Sequence, residues 1–304
     1  MNIVYFYILN FNENLYICLY YYSKWAQLTN YKFYCMNIKL YLLLVILFTT
    51  FNLYSQEKSL DLYLLIGQSN MAGRGLIEAE DTIANAHVFM LNKDGKWVPA
   101  KDPLHFDKTA AGVGLGRSFG IKMTKKNPDA IIGLIPCAVG GSEIDNWIPG
   151  SFFNQTKSYP WNDMEIRLKK AMKSGTLKGV LWHQGESDSS PDKCEEYKKK
   201  LENLIFRIRI LSGNQKLPFV SGQFGKFFIK RNKKKYSDWN PSPAEIVEKS
   251  TRQVMKADGN AAFVTSKRLP DKGDKTHFDS KSYRILGKRY AKAMQKILGN
   301  LNRK

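Results

Sequence analysis

Only four histidines occur in the chain, His87, His105, His183 and His277, and no H-E-x-x-H run contains them. That removes a helical zinc centre, and His183, Glu186 and Asp188 alone make a weak metal set. No metal and no cofactor are expected. No G-x-x-x-x-G-K-[ST] run is present, so there is no phosphate loop, and the short GVGLG at 112–116 is a weak glycine motif by itself. Cysteine is equally scarce: Cys18, Cys35, Cys137 and Cys194. So few cannot make a disulfide framework, although Cys137 and Cys194 leave room for one bridge in an oxidising compartment. There is no low-complexity linker and no internal repeat. Acidic residues are outnumbered, 27 against 47 basic ones. The excess suits an acidic glycan or a lysine-rich solvated surface. Its densest runs, KKK at 198–200 on an expected helix and KRNKKK at 230–235 in an expected loop, have no interleaved aromatics for base stacking, which argues against nucleic acid.

Long apolar runs are missing too, apart from one near the start. Residues 36–58 read MNIKLYLLLVILFTTFNLYSQEK: Lys39 as basic flank, Leu40–Phe48 as a short apolar core, then small and polar residues to Ser55-Gln56. This is the pattern of a secretory signal peptide with its own methionine, too short to favour a spanning helix although an uncleaved anchor is an alternative. No cysteine follows the core, which disfavours a lipoprotein anchor. Residues 1–35, rich in Tyr, Asn and Phe with no clean period, then stand upstream of the expected start at Met36 and are read as an annotation artefact. Residues 36–55 are the signal peptide, and 56–304 form one domain. Loss of Lys24, Lys32, Lys39 and Glu13 takes the net charge from +20 to +18. A periplasmic or secreted protein without a membrane span after cleavage is expected.

What remains alternates in character. Short β-branched runs at Leu60–Ile66, Ala130–Pro136, Gly179–His183, Leu217–Gln223 and Ala261–Thr265 predict strands, with His87–Leu91 at an edge. Amphipathic runs at Gly116–Lys126, Trp161–Ser174, Asp192–Leu211, Pro243–Ala257 and Ser280–Leu298 predict helices. Strict alternation predicts an α/β domain with a parallel sheet covered on both faces, whose ligands bind beyond the carboxyl ends of the strands.

Those ends carry the polar chemistry: GQSNMAG after the first strand, then AGVGLGRSFG, IPCAVGGSEIDNW, WHQGESD and GDKTHFDSKSY. Ser69 stands in a glycine-bounded turn without the G-x-S-x-G elbow of α/β-hydrolases, because Met71 takes the second glycine position. As a nucleophile it needs a base, and the base an orienting acid. DPLHFD at 102–107 and DKTHFD at 274–279 each set an aspartate three residues before a histidine. His277, braced between a strand and a helix, is the better base, with Asp274 as its acid. His105 reads as a loop histidine near the pocket, His87 as a packed one, and His183 as lining the site. The Ser69 N–H, Gly116 and the Gln184 amide are the candidate oxyanion donors. Asn70 reads as stabilising the turn. Trp147 is the best sugar platform among Trp147, Trp161 and Trp182, and Trp182 reads as core. Arg74 and Arg117 read equally as partners for an acidic sugar and as surface charges.

Taken together, GQSNMAG, AGVGLGRSF, CAVGGSEIDNW, WHQGESD and D-x-x-HF resemble the SGNH-hydrolase superfamily, most of all its sialate O-acetylesterase-like and acetyl xylan esterase-like carbohydrate esterases. The resemblance runs from about Asp61 to Met294. It implies a flavodoxin-like three-layer α/β/α sandwich with a five-stranded parallel sheet, and a metal-free serine esterase acting on acetylated carbohydrate through an acetyl-enzyme. It assigns Ser69 as nucleophile, His277 as base and Asp274 as acid. The Ser69 and Gly116 N–H groups and the Gln184 side chain become the oxyanion donors. Gln68, Asn70, Gly140, Gly141, Ser142, Trp147, His183 and Glu186 would support the site or border the substrate. Leu115 departs from the family's frequent proline and leaves the Gly116 donor least secure. An inactive glycan-binding relative and an SGNH lipase are the alternatives; the first would lack a triad residue, and none is missing.

Overall fold

The computed structural model describes residues 3–11, 14–22, 34–37, 39–40, 42 and 59–303, in two units, Met1–Lys58 and Ser59–Lys304. In the first unit β1 (Ile3–Phe11) pairs antiparallel with β2 (Asn14–Tyr22), and β2 with β3 (Tyr34–Asn37). Met36, the expected start, lies within β3. Most of the expected signal-peptide core, Leu40–Phe48, lies outside the described residues. Among the described residues no helix is long and apolar enough to cross a membrane.

The second unit is built on β4 (Leu60–Gly67), β5 (Val88–Leu91), β6 (Trp97–Pro99), β7 (Ile132–Pro136), β8 (Gly175–His183), β9 (Phe219–Gly222) and β10 (Ala261–Val264). They form one sheet in the order β10-β9-β8-β4-β7-β5-β6. All neighbours are parallel except β6, which runs antiparallel to β5. The sheet therefore has seven strands, not the five expected. The five expected strands are contiguous in it, in the flavodoxin-like order 2-1-3-4-5. The run at 87–91 joins them, and the three residues of β6, too short to show a period, close the edge.

Eight helices complete the unit: α1 (Ser69–Ala72), α2 (Ala79–Thr82), α3 (Gly116–Thr124), α4 (Pro160–Ala171), α5 (Tyr197–Ser212), α6 (Lys226–Lys235), α7 (Pro243–Ala257) and α8 (Ser280–Leu301). Side chains of β4 alternate between two cores because successive strand residues point to opposite faces. Leu62, Leu64 and Ile66 pack with Met164 and Leu168 of α4, Leu201 and Leu204 of α5 and Val247 of α7. Tyr63 and Leu65 pack with Phe119 of α3 and with Tyr283, Leu286 and Tyr290 of α8. Three layers result.

Helix ends follow the sequence signals. Ser242 and Glu245 close a reciprocal capping box on α7, with Pro243 in the first turn. Two expectations change. KRNKKK at 230–235 is the second half of α6, not a loop. Its anchors are Phe228 and Asn232, one turn apart; the Asn232 amide donates to the Ser189 carbonyl (2.8 Å) and accepts from the Ala244 N–H (3.0 Å). A polar anchor among lysines escapes hydrophobic periodicity. The helix expected from Asp192 begins at Tyr197, because Cys194–Glu196 is wound as a 3₁₀ turn.

In the order 2-1-3-4-5, the chain reverses its direction of travel across the sheet at β4 and β8. That is the topological switch point, where open α/β sheets bind ligands. Ser69 follows β4, and the H-Q-G-E-S loop follows β8.

Candidate active site

The geometry starts at Gly67. Its φ is +131°, and a Cβ there would lie 2.2 Å from the His183 carbonyl oxygen, so only glycine lets β4 run this close to the end of β8. The Gln68 N–H donates to the same carbonyl (3.0 Å). The Gln68 side-chain oxygen accepts from the N–H groups of Gly185 (3.3 Å) and Ser187 (3.2 Å). These bonds fasten the two loops of the switch point together. Ser69 then opens the single turn α1.

The loop between β10 and α8 brings the base to that turn across 208 residues of sequence. His277 Nε2 is 2.9 Å from Ser69 Oγ, and His277 Nδ1 is 2.7 Å from Asp274 Oδ2. Asp274 Oδ1 accepts from the backbone N–H groups of Thr276 (2.9 Å) and His277 (2.8 Å). The aspartate is thus held by its own loop before it meets the ring. Burial opposes its ionisation, but the hydrogen bonds from His277 and Thr276 outweigh it and set its pKa below the ordinary value. An ionised Asp274 accepts a hydrogen bond from Nδ1–H, which holds the proton on that nitrogen and leaves the Nε2 lone pair facing the Ser69 hydroxyl.

Burial also pushes His277 below the ordinary histidine value; Asp274 opposes the shift, while Arg74 and Lys272 reinforce it. A base with a depressed pKa stays neutral further into acid. We therefore expect kcat/KM for ester hydrolysis to be flat at neutral pH and to fall only on the acid side, with a midpoint below about 6.5. A pH–rate profile of the free enzyme checks this; a midpoint above that value contradicts it.

Asn70 ties the two halves of the site together. Its Nδ2 donates to Glu186 Oε1 (2.5 Å) and to the Thr276 carbonyl (3.0 Å), and its Oδ1 accepts from the Tyr283 hydroxyl (2.7 Å) and the Phe278 N–H (3.4 Å). One amide beside the serine thus links the H-Q-G-E-S loop, the histidine loop and α8. Burial raises the Glu186 pKa, and the Asn70 bond opposes it.

The oxyanion donors are arranged differently from the expectation. Among the described residues the Ser69 N–H has no hydrogen-bond partner. Gln184, in contrast, is buried and fully committed. Its amide nitrogen donates to the Ser142 carbonyl (3.0 Å) and to Asp188 Oδ2 (2.5 Å), and its oxygen accepts from the Tyr197 hydroxyl (2.8 Å). Both amide protons are occupied, so the Gln184 side chain is a buried brace rather than an oxyanion donor. Gly116 opens α3 with its Cβ position against Leu65 and Leu104. The glycines that meet the serine turn are Gly112, whose N–H donates to the Gly73 carbonyl (3.2 Å), and Gly114, whose nitrogen lies 2.6 Å from where a Gly73 Cβ would stand.

Three further expectations change in the same way. Trp147 is fully buried, edge-on to Trp182 at 5.6 Å, with its indole N–H on Ser142 Oγ (3.1 Å). It holds the core and offers no face to a sugar. Trp147→Ala should cost about 3–5 kcal/mol of stability in thermal unfolding, with kcat of the folded enzyme on a small acetyl ester near wild type. Ser142, fully buried between Trp147 and Gln184, does not border a pocket. His183 is also fully buried, hydrogen-bonded through Nδ1 to the Tyr290 hydroxyl (2.9 Å), and burial pushes its pKa down to about 3. It is a neutral core histidine. Gly141 keeps its loop position (φ +88°) and accepts from the Ser187 hydroxyl (3.0 Å).

The structure adds Asp107, which sequence reasoning missed. Arg74 forms a buried ion pair with Asp107 (2.6 Å), whose carboxylate also accepts from the Gly140 N–H (2.8 Å). Arg74 is therefore already neutralised. The repeated D-x-x-H-F-D pattern was the available signal: its final aspartates are Asp107 here and Asp279 at the N-cap of α8, where it accepts from the Ser282 N–H (2.7 Å). Arg117 donates to the Ile83 carbonyl. His105 is buried beside a cavity of about 210 Å³ that Cys137 and Val139 also line. Cys137 and Cys194 are free thiols. Among the described residues no three His, Cys, Asp or Glu side chains are grouped as a metal site.

Residues 59–296 match the sequence pattern of the family described as carbohydrate esterase, sialic acid-specific acetylesterase. A probable carbohydrate esterase of Arabidopsis thaliana is 29% identical over 254 residues, covering 76% of this chain and 89% of the relative. A solved structure of an Arabidopsis thaliana protein superposes with a TM-score of 0.66 at 27% identity, over 78% of this chain and 98% of that one. Two others share the fold. NanS has a TM-score of 0.60 at 16% identity, over 82% and 99% of the two chains. A carbohydrate acetylesterase from Xanthomonas citri has a TM-score of 0.61 at 18% identity, over 93% of this chain and 61% of that one.

Proposed function

Because the chain belongs to the carbohydrate esterase, sialic acid-specific acetylesterase family, we propose that it is a serine esterase that removes O-acetyl groups from carbohydrates through an acetyl-enzyme. The observation that carries the reading is the unbroken relay from Asp274 through His277 to Ser69, with contacts of 2.7 and 2.9 Å. Ser69 Oγ attacks the acetyl carbonyl carbon while His277 Nε2 takes its proton. Negative charge gathers on the carbonyl oxygen, within reach of the Ser69 N–H. His277 returns the proton to the sugar oxygen as the C–O bond breaks, and the acetyl group stays on Ser69. Water, deprotonated by the same nitrogen, then releases acetate. Asp274 stays ionised throughout and stabilises the imidazolium.

The sequence pattern of residues 36–55 supports export, so the working compartment is proposed to be periplasmic or extracellular. Acetate release from acetylated xylan and from O-acetylated sialic acid, measured side by side, tests the function. Turnover of either supports it and selects the sugar class. Activity confined to long acyl esters would overturn it.

A further inference from the structure

A groove between α3 and α8 holds charge that ester chemistry does not use. It encloses about 570 Å³. Lys122 of α3 and Lys125 at its C-cap line one side, and Lys288 and Lys292 of α8 the other. Among the described residues none of the four has a carboxylate within 4.0 Å.

Of the groove's arginines, Arg284 is paired with carboxylates, while Arg117 and Arg289 bond to backbone carbonyls. Arg284 is held by Glu78, Glu80 (2.9 Å) and Asp81 (2.6 Å), and Arg289 donates to the carbonyls of Thr265 (2.8 Å) and Lys267 (3.1 Å). Glu80, the acid lining the groove, is the one neutralised by Arg284. Among the described residues, the four lysines carry unneutralised charge, joined by Arg117 and Arg289, whose hydrogen bonds go to backbone carbonyls and not to carboxylates.

Four lysines without a carboxylate partner among the described residues line one groove. Lys288 and Lys292 stand one turn apart on one face of α8, a spacing at which like charges repel. The helices that carry the two lysine pairs also lie unusually close. A Cβ on Gly287 would fall 2.1 Å from the Leu115 carbonyl oxygen and from Ser118 Oγ, and Gln295 donates to the Lys122 carbonyl (3.1 Å). Two pairs of free cations thus share one crevice fixed by helix packing. An anion lying between them would remove the repulsion.

The groove also has a direction. α8 begins at Ser280, three residues after His277, and at 1.5 Å per residue Lys292 lies about 18 Å along it. The cationic track therefore leaves the catalytic end of the sheet and runs down its flank, where it can hold an extended chain.

We propose that this groove binds an anionic polysaccharide, a glycan chain with carboxylates at regular intervals. The choice of a polysaccharide rests on the carbohydrate reading above; the anionic character rests on the groove's unneutralised cations, chiefly the four lysines. The groove has no aromatic side chain on which a base could stack. It is a crevice, not the flat basic face that suits a membrane.

The test uses the full chain, with polygalacturonate as anionic probe and deacetylated xylan as the less charged control, in affinity electrophoresis at two salt concentrations. The expected result is a preference for polygalacturonate that weakens with salt. A quadruple variant, Lys122→Gln, Lys125→Gln, Lys288→Gln and Lys292→Gln, should lose that binding by about tenfold or more. Its turnover of p-nitrophenyl acetate should match wild type, which also shows that it folds. Ser69→Ala should bind polygalacturonate as wild type does, so failure of the esterase reading and failure of the groove are separable. Equal binding by the quadruple variant, no preference over xylan, or tighter binding of duplex DNA or of anionic phospholipid vesicles would overturn the proposal.

Discussion

Ser69→Ala is expected to lower kcat for acetyl-ester hydrolysis by on the order of 10⁶, since residues of such a relay act as one unit and losing the nucleophile costs as much as losing all three. The melting temperature should barely move. Ser69 Oγ makes one hydrogen bond, to His277 Nε2, and α1 is secured by its backbone and by Gln68 and Asn70. Steady-state kinetics on p-nitrophenyl acetate beside thermal unfolding separate the two effects. Unchanged turnover would rule Ser69 out as nucleophile.

The second large effect is expected from Asp274→Asn, a loss of about 10⁴ in kcat if the worked triad is the guide. The asparagine oxygen can still accept from a backbone N–H. The amide removes the negative charge that fixes the Nδ1–H tautomer and stabilises the imidazolium. Asp274 also opposes the burial that depresses the His277 pKa. Without it the residual acid limb should move to still lower pH. A change confined to KM, with kcat and pH profile intact, would show that Asp274 only shapes the loop.

The fold was legible because burial imposes its period. The run Leu60–Ile66 alternates between two cores, and the strand ends predicted to collect chemistry lie on one edge of the sheet. The grouping of Ser69, His277 and Asp274 was legible because only four histidines occur, two of them follow an aspartate by three residues, and His277 alone of that pair stands between a strand and a helix. Side-chain direction was not legible. Gln184 follows His183 at the end of β8, and nothing in WHQGESD reveals that Tyr197, thirteen residues on, and Asp188 occupy its amide. Trp147 stands in a glycine-rich loop that reads as exposed, yet the loop folds inward against Trp182. Of the alternating glycines in AGVGLG, close approach to Gly73 selects Gly112 and Gly114, a choice that exists only once the two loops are packed. The KRNKKK run hid a helix because its second anchor is an asparagine.

The Asn70 clamp has a consequence for assembly. Its partners come from three loops or helices far apart in the chain, and it joins the serine of the first strand of the parallel sheet to the histidine that follows the last. Contacts of such long sequence separation carry a large loop-closure cost. The serine and the histidine are thus brought together by a sheet in which β7 and β8 flank β4 and β9 and β10 continue beyond β8. A chain in which those strands have not joined holds Ser69 apart from His277, so the relay exists only in the assembled sheet.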